Sequence, residues 1–221
     1  MTFRLQGVIF DMDGVITDTI PLHYESWARL AQAEDIPFSW EEHDTMRGLS
    51  RRDALARLLK GRELAPNTFD DWMARKNGHY RELMTTLTPA DILPGVHDWL
   101  AAARQMGLRV GLGSASQNAH AVLAQLGLSA AFDAIADGIS VVHIKPAPDI
   151  FLWVAGRINV HPAHTLVIED SAAGISAARA GGFWTLGVGS HEVVGAAHIV
   201  TASLADLTLV EVIAQLPQAD A

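Results

Sequence analysis

The chain has 221 residues, 49% hydrophobic and 19% charged, enough apolar content to fill one large domain or two unequal ones. Its formal charge of -9 at pH 7 argues against non-specific attachment to nucleic acid or anionic membranes, although a local cluster of cations and metal can still admit an anionic substrate. The absence of cysteine excludes disulfides, thiolate metal centres and cysteine nucleophiles. No apolar run reaches the length of a membrane span, and the N-terminus, with one Arg, a short strand-like run and then acids, does not read as a signal peptide. A cytoplasmic protein with no nucleic-acid or membrane partner is expected.

The first element is a strand, Gly7-Val8-Ile9-Phe10, that runs straight into Asp11-Met12-Asp13-Gly14-Val15. Apolar side chains on both faces suit a strand buried in a parallel sheet, and the two acids then fall at its carboxyl end, where open α/β sheets place ligands. Two carboxylates this close repel unless a cation lies beside them. A hard divalent ion with oxygen ligands is the natural candidate, although Asp and Gly are also ordinary turn formers.

The pattern then becomes helical. Leu22, Trp27, Leu30 and Ala31 recur at helical spacing between Pro21 and Pro37, a second helix begins near Ser50, and a third covers about 68–87. No strand is expected over 16–89. From Pro94 helices and strands alternate: helix 96–106, strand 108–113, helix 118–126, strand 134–136, helix 148–158, strand 165–168, helix 172–180, strand 184–188, strand 198–201 and helix 206–216. The expected fold is α/β: a doubly wound, Rossmann-like parallel-sheet core made of 1–15 and 90–221, with a small all-helical cap domain inserted at 16–89.

Four strand ends or following loops carry polar residues: Asp11 with Asp13, Ser114 with Ser116, Lys145, and Glu169 with Asp170. In a parallel sheet these ends share one edge. The four acids together suit Mg²⁺, which prefers carboxylate, carbonyl and water oxygens. Ser114 offers a hydroxyl near a helix start, where N–H groups hold phosphate oxygens. Lys145 is a point charge suited to a phosphoryl group or to balancing carboxylates. A carboxylate can accept a phosphoryl group as an aspartyl-phosphate. Taken singly, Ser114 could cap a helix, Lys145 could be a solvated loop charge, and Glu169-Asp170 an acidic helix start. Their coincidence at successive strand ends argues for a site.

In these motifs, Asp11-Met12-Asp13-Gly14-Val15, Ser114, Lys145-Pro146 and Glu169-Asp170-Ser171, the chain resembles the haloacid dehalogenase superfamily of aspartate-nucleophile phosphotransferases. The helical insertion is similar to that of its C1-capped branch. Within it, Gly14-Val15-Ile16-Thr17-Asp18-Thr19, His23 with Trp27, Gly48-Leu49-Ser50-Arg51, Arg75-Lys76-Asn77, Ser114-Ala115-Ser116 and Lys145-Pro146-Ala147-Pro148-Asp149 resemble the β-phosphoglucomutases. The resemblance implies Asp11 as nucleophile and metal ligand, and Asp13 as general acid/base with its backbone carbonyl on the metal. Glu169 and Asp170 would complete the Mg²⁺ shell. Ser114 and Lys145 would hold the transferring phosphoryl group. Ser116 and Asn118, in a loop that includes Ala115 and Gln117, and Arg51 of the cap would hold a second phosphate. His23, Trp27, Arg47, Gly48, Leu49, Ser50 and Lys76 would line the sugar side or couple cap closure to Asp13. Trp27 equally suits a helical core, and the alternative for His23, Arg51 and Lys76 is a solvent-facing position. Gln117 replaces a basic residue familiar in the family, Arg47 replaces a Lys, and Ile144 a small polar residue.

The expected reaction is the interconversion of β-glucose 1-phosphate and glucose 6-phosphate by a monomeric, Mg²⁺-dependent mutase. It would run through phospho-Asp11, with a sugar bisphosphate as activator. The alternative is a phosphatase of the same superfamily acting on a small sugar phosphate.

Overall fold

The computed structural model describes residues 4–46 and 49–216. The chain divides into two compact units, Met1–Asp18 with Thr88–Ala221, and Thr19–Leu87.

The first unit is built on a six-stranded parallel sheet: β1 (Gly7–Phe10), β2 (Arg109–Gly113), β3 (Ala134–Ala136), β4 (Thr165–Glu169), β5 (Trp184–Val188) and β6 (Ile199–Thr201). Their spatial order is β3-β2-β1-β4-β5-β6. This is the doubly wound order, in which the direction of winding reverses at β1 and β4. Every residue of β1 and β4 is buried, which is why these strands read as apolar runs rather than alternating ones. The helices of this unit are α5 (Val96–Gln105), α6 (Ala119–Gln125), α7 (Asp149–Arg157), α8 (Ala172–Ala180), α9 (His191–Val194) and α10 (Leu209–Gln215). Helix α7 packs on β1, β2 and β3, and α8 on β4 and β5. Ile9 and Val167 from the central strands share one core with Phe151 and Val154 of α7, Ala177 and Ala178 of α8, and Phe183.

The second unit is helical: α1 (Ile20–Ala33), α2 (Trp40–Asp44), α3 (Arg51–Leu59) and α4 (Pro66–Leu83), followed by a 3-10 turn at Met84–Thr86. Trp27, Leu30, Leu55, Leu58 and Trp72 form its core. The chain leaves the sheet unit only after Asp18 because the preceding residues are bonded into it. Leu93 N–H donates to the Ile16 carbonyl, and the Thr17 hydroxyl donates to the Asp91 carbonyl at 2.9 Å.

Element bounds differ from expectation in helices α1, α4 and α10. Helix α1 starts at Ile20 with Pro21 in its first turn and stops at Ala33, ahead of a left-handed Asp35 (φ 51). Helix α4 begins at Pro66, a residue suited to a first helical position, and its end tightens into the 3-10 turn instead of running on to 87. Helix α10 starts at Leu209 rather than 206, because Thr208 and Glu211 close a capping box there. Helices α2 and α9 have five and four residues, too short for a periodicity to register. Among the described residues, no helix is long and apolar enough to cross a membrane.

Candidate active site

Phe10 stands in register with Leu112 on one side and Ile168 on the other. The next residues of the three strands, leading to Asp11, Ser114 and Glu169, therefore emerge along one carboxyl edge. That edge includes the point where the strand order reverses, the ligand crevice of open α/β sheets.

Asp11 and Glu169 both bind Lys145. The Lys145 Nζ donates to Asp11 Oδ1 at 2.5 Å and to Glu169 Oε2 at 2.8 Å. All three side chains are buried, and the ammonium also lies 4.7 Å from the centre of the Phe151 ring. Burial works against the Lys145 charge, but Asp11 and Glu169 outweigh it and hold its pKa above the ordinary lysine value. Burial pushes the Asp11 carboxyl well up, and Glu169 adds to that push. Lys145 opposes it, while Asp13 and Asp170 add further. One ammonium thus faces several acids, a surplus of negative charge that a divalent cation would balance.

The donor set fits such a cation. Among the described residues, carboxylate oxygens of Asp11, Glu169 and Asp170 lie within 4.8 Å of one another, an all-oxygen set of the kind Mg²⁺ takes. Gly14 is part of the cradle. Its φ of +84° is a left-handed conformation, and a Cβ there would stand 2.1 Å from Asp170 Oδ2. Asp13 is not in the carboxylate cluster. It sits half-buried in the turn after β1, where Gly14 N–H donates to the Thr17 carbonyl at 2.8 Å. Both oxygens of Glu169 have protein partners. Oε2 takes Lys145, and Oε1 takes the Ser171 backbone N–H at 3.0 Å and the Ser171 hydroxyl at 2.6 Å.

Ser114 is fully buried where β2 ends, and Ser116 N–H donates to its Oγ at 3.1 Å. Asn118 N–H donates to Ser116 Oγ at 3.2 Å, so each serine orients the backbone two residues on. Ala115 and Gln117 are exposed on this loop.

In the helical unit, α1 and α4 pack together, and each presents a pair four residues apart on one face. His23 stacks on Tyr80 with ring centres 4.2 Å apart. Lys76 Nζ lies 3.1 Å from His23 Nδ1 and 5.0 Å from the centres of both the Trp27 and Tyr80 rings. Trp27 is 3% exposed and belongs to the core. What it offers is an apolar wall for a buried ammonium, not an open sugar platform. Burial lowers the His23 pKa well below the ordinary value, and Lys76, His43 and Arg51 lower it further. Burial also lowers that of Arg51. Ser50 caps α3, accepting from Asp53 N–H at 3.0 Å while its hydroxyl donates to Asp53 Oδ2. Leu49 is 42% exposed. Arg47 and Gly48 lie outside the described residues.

Sequence reasoning assigned no role to four residues of these clusters. Phe151 faces Lys145, and Tyr80 faces both Lys76 and His23. Ser171 binds Glu169 Oε1 through its backbone N–H and hydroxyl, and Gly174, whose N–H donates to Ser171 Oγ at 3.0 Å, leaves the carboxylate the space a Cβ would fill. Tyr80 could have been found from its spacing of four from Lys76, and Ser171 from its N-cap position.

A family model described as haloacid dehalogenase-like hydrolase matches residues 5–182. The chain is 38% identical over 209 residues to the β-phosphoglucomutase of Bacillus subtilis (strain 168), covering 93% of this chain and 92% of that one. It is 37% identical to the fructose-1-phosphate phosphatase YqaB of Escherichia coli K12, covering 81% of this chain and 94% of that one. The crystal structure of a β-phosphoglucomutase from Clostridium difficile superposes with a TM-score of 0.91 at 35% identity, covering 96% of each chain.

Proposed function

The chain belongs to the haloacid dehalogenase-like hydrolase family, and from that premise we propose that it works as a phosphosugar mutase interconverting β-glucose 1-phosphate and glucose 6-phosphate. The observation that carries the reading is the 38% identity to a β-phosphoglucomutase over 93% of the chain, which runs through both compact units.

Asp11 is the nucleophile. One of its carboxylate oxygens forms a bond to phosphorus as the bond from phosphorus to the sugar oxygen breaks, giving an aspartyl-phosphate. Lys145 offsets the charge shared between Asp11 and the transferring group. Ser114 orients a phosphoryl oxygen through its hydroxyl. Asp13 gives a proton to the departing sugar oxygen and takes one from the sugar hydroxyl in the return transfer. Asp11, Asp170 and the Asp13 backbone carbonyl would hold Mg²⁺, with Glu169 beside them. The ion would supply charge neutralisation at the phosphoryl oxygens. A glucose bisphosphate primes Asp11, and Arg51 with Ser116 and Asn118 grips the phosphate that is not being transferred, since a planar guanidinium binds phosphate bidentately. Leu49, Ser50, Lys76 and His23 contribute to sugar recognition.

The identity to a fructose-1-phosphate phosphatase supports a second reading, in which water takes the phosphoryl group from Asp11. The two separate in one assay. β-Glucose 1-phosphate is supplied with Mg²⁺ and a trace of bisphosphate, and glucose 6-phosphate and inorganic phosphate are measured together. Glucose 6-phosphate in large excess over phosphate is expected. Stoichiometric phosphate release with no isomerised sugar would establish the phosphatase instead.

A further inference from the structure

Glu169 forms no bond to phosphorus in the proposed reaction, yet it is 1% exposed and held at both oxygens. Resting on the reading of Asp11 and Lys145 given above, we infer that Ser171 and Gly174 are positioning residues that seat the Glu169 carboxylate and, through it, set where the Lys145 ammonium stands against Asp11.

Capping explains only part of what Ser171 does. The cap of α8 requires that its Oγ accept from Gly174 N–H, which it does at 3.0 Å. The hydroxyl proton is left over, and it goes to Glu169 Oε1 at 2.6 Å beside the Ser171 backbone N–H at 3.0 Å. Gly174 is more informative still. It is the third residue of α8, where glycine is a poor helix former, and it is not among the residues at positive φ. Its reason is therefore close approach. A Cβ at this position would stand 2.0 Å from Glu169 Cδ, 2.2 Å from Oε2 and 2.4 Å from Cγ. The carboxylate lies flat against the first turn of the helix, and only glycine leaves it that space.

The geometry has a use in the catalytic cycle. A lysine ammonium on its flexible stem needs two partners to be fixed. Asp11 cannot be a constant partner, because its carboxylate becomes an acyl phosphate and loses its charge. Glu169 keeps its charge throughout, so its fixed seat holds Lys145 at the phosphoryl group before and after transfer.

The test compares Gly174→Ala, Glu169→Ala, the double variant, Ser171→Asp and Ser171→Thr. p-Nitrophenyl phosphate hydrolysis reports on Asp11 without requiring the sugar, and the ¹H–¹⁵N signal of the Lys145 ammonium reports on its hydrogen bonds without requiring turnover. Displacing Glu169 by about an ångström should lower kcat roughly 10- to 100-fold with KM nearly unchanged. Gly174→Ala should do this in the wild type and cost nothing further beside Glu169→Ala. Ser171→Asp keeps a capping oxygen but has no proton for Glu169, so it should lose kcat, whereas Ser171→Thr should retain most of it. The ammonium signal should be lost in Gly174→Ala and Ser171→Asp. Should Gly174→Ala not fold, the two Ser171 variants decide. Wild-type kcat and ammonium signal in Gly174→Ala or Ser171→Asp, or an equal loss from Gly174→Ala with and without Glu169, would overturn the inference. A wild-type protein that hydrolyses the aryl phosphate in this pattern but isomerises no sugar would overturn the mutase reading alone.

Discussion

Replacing Lys145 with Met tests the electrostatics of the site in isolation from its substrate. The side chain stays unbranched, becomes one atom shorter and apolar, and loses the ammonium that binds Asp11 Oδ1 at 2.5 Å and Glu169 Oε2 at 2.8 Å. Both carboxylates are then buried without their cation, since Asp11 is 5% and Glu169 1% exposed. Breaking a buried ion pair by removing one partner costs about 3–5 kcal/mol. For a chain of this size that is a fall in Tm of roughly 6–20 °C. The sign of its pH dependence follows. Removing Lys145 raises the Asp11 pKa further, beyond what burial and Glu169 already do, so acid neutralises the orphaned carboxyls and lightens the penalty. The difference in Tm between wild type and Lys145→Met should therefore be larger at pH 8 than at pH 5. Calorimetry in EDTA, which keeps divalent cations from masking the loss, measures both. A Tm within about 2 °C of wild type at pH 8, or a difference that grows toward acid, would refute the reasoning.

Divalent ion binding should raise Tm, by about 2.7 kcal/mol of stability at a concentration one hundred times Kd. Asp170→Asn should abolish most of the Mg²⁺-dependent rise, as read by thermal melts with and without EDTA. Arg51→Ala should weaken use of the bisphosphate. Loss of a charge-assisted grip of about 1.5–3 kcal/mol corresponds to roughly a 10- to 150-fold rise in its apparent KM, with a smaller effect on aryl phosphate hydrolysis. His23 carries the third expectation, in acid. Its native pKa is depressed by burial and by Lys76, His43 and Arg51, so below about pH 6.5 the unfolded chain takes up a proton that the native chain refuses. Stability therefore falls as pH drops from about 7 to about 5.5, and His23→Gln should flatten that slope in denaturant titrations.

The sheet was legible in the sequence because its central strands are buried on both faces. Val8-Ile9-Phe10 and Leu166-Val167-Ile168 are uninterrupted apolar runs, and each ends in acids that the fold brings to one edge. What escaped had local causes. Helix α2 left one readable trace, Ser39 with Glu42 three residues on, which forms a capping box in the structure. Trp27 could be either core or platform at its helical spacing, and the packing of α1 on α4 buried it. The separate role of Glu169 was not visible in a run of acids. It depends on Gly174, five residues away on the next helix, whose missing Cβ makes room for the carboxylate. Composition and motif spacing identify residues that can bind a cation or a phosphate, and packing decides which oxygens already have partners.

The central claim is that Asp11 carries the phosphoryl group. The direct measurement is rapid acid quench of the enzyme with ³²P-labelled glucose bisphosphate, followed by borohydride reduction and peptide mapping. Labelling of Asp11 that forms and decays at rates compatible with turnover, and that Asp11→Asn abolishes, is the expected result. Sustained turnover with the label on another residue, or with full activity in Asp11→Asn, would contradict the account.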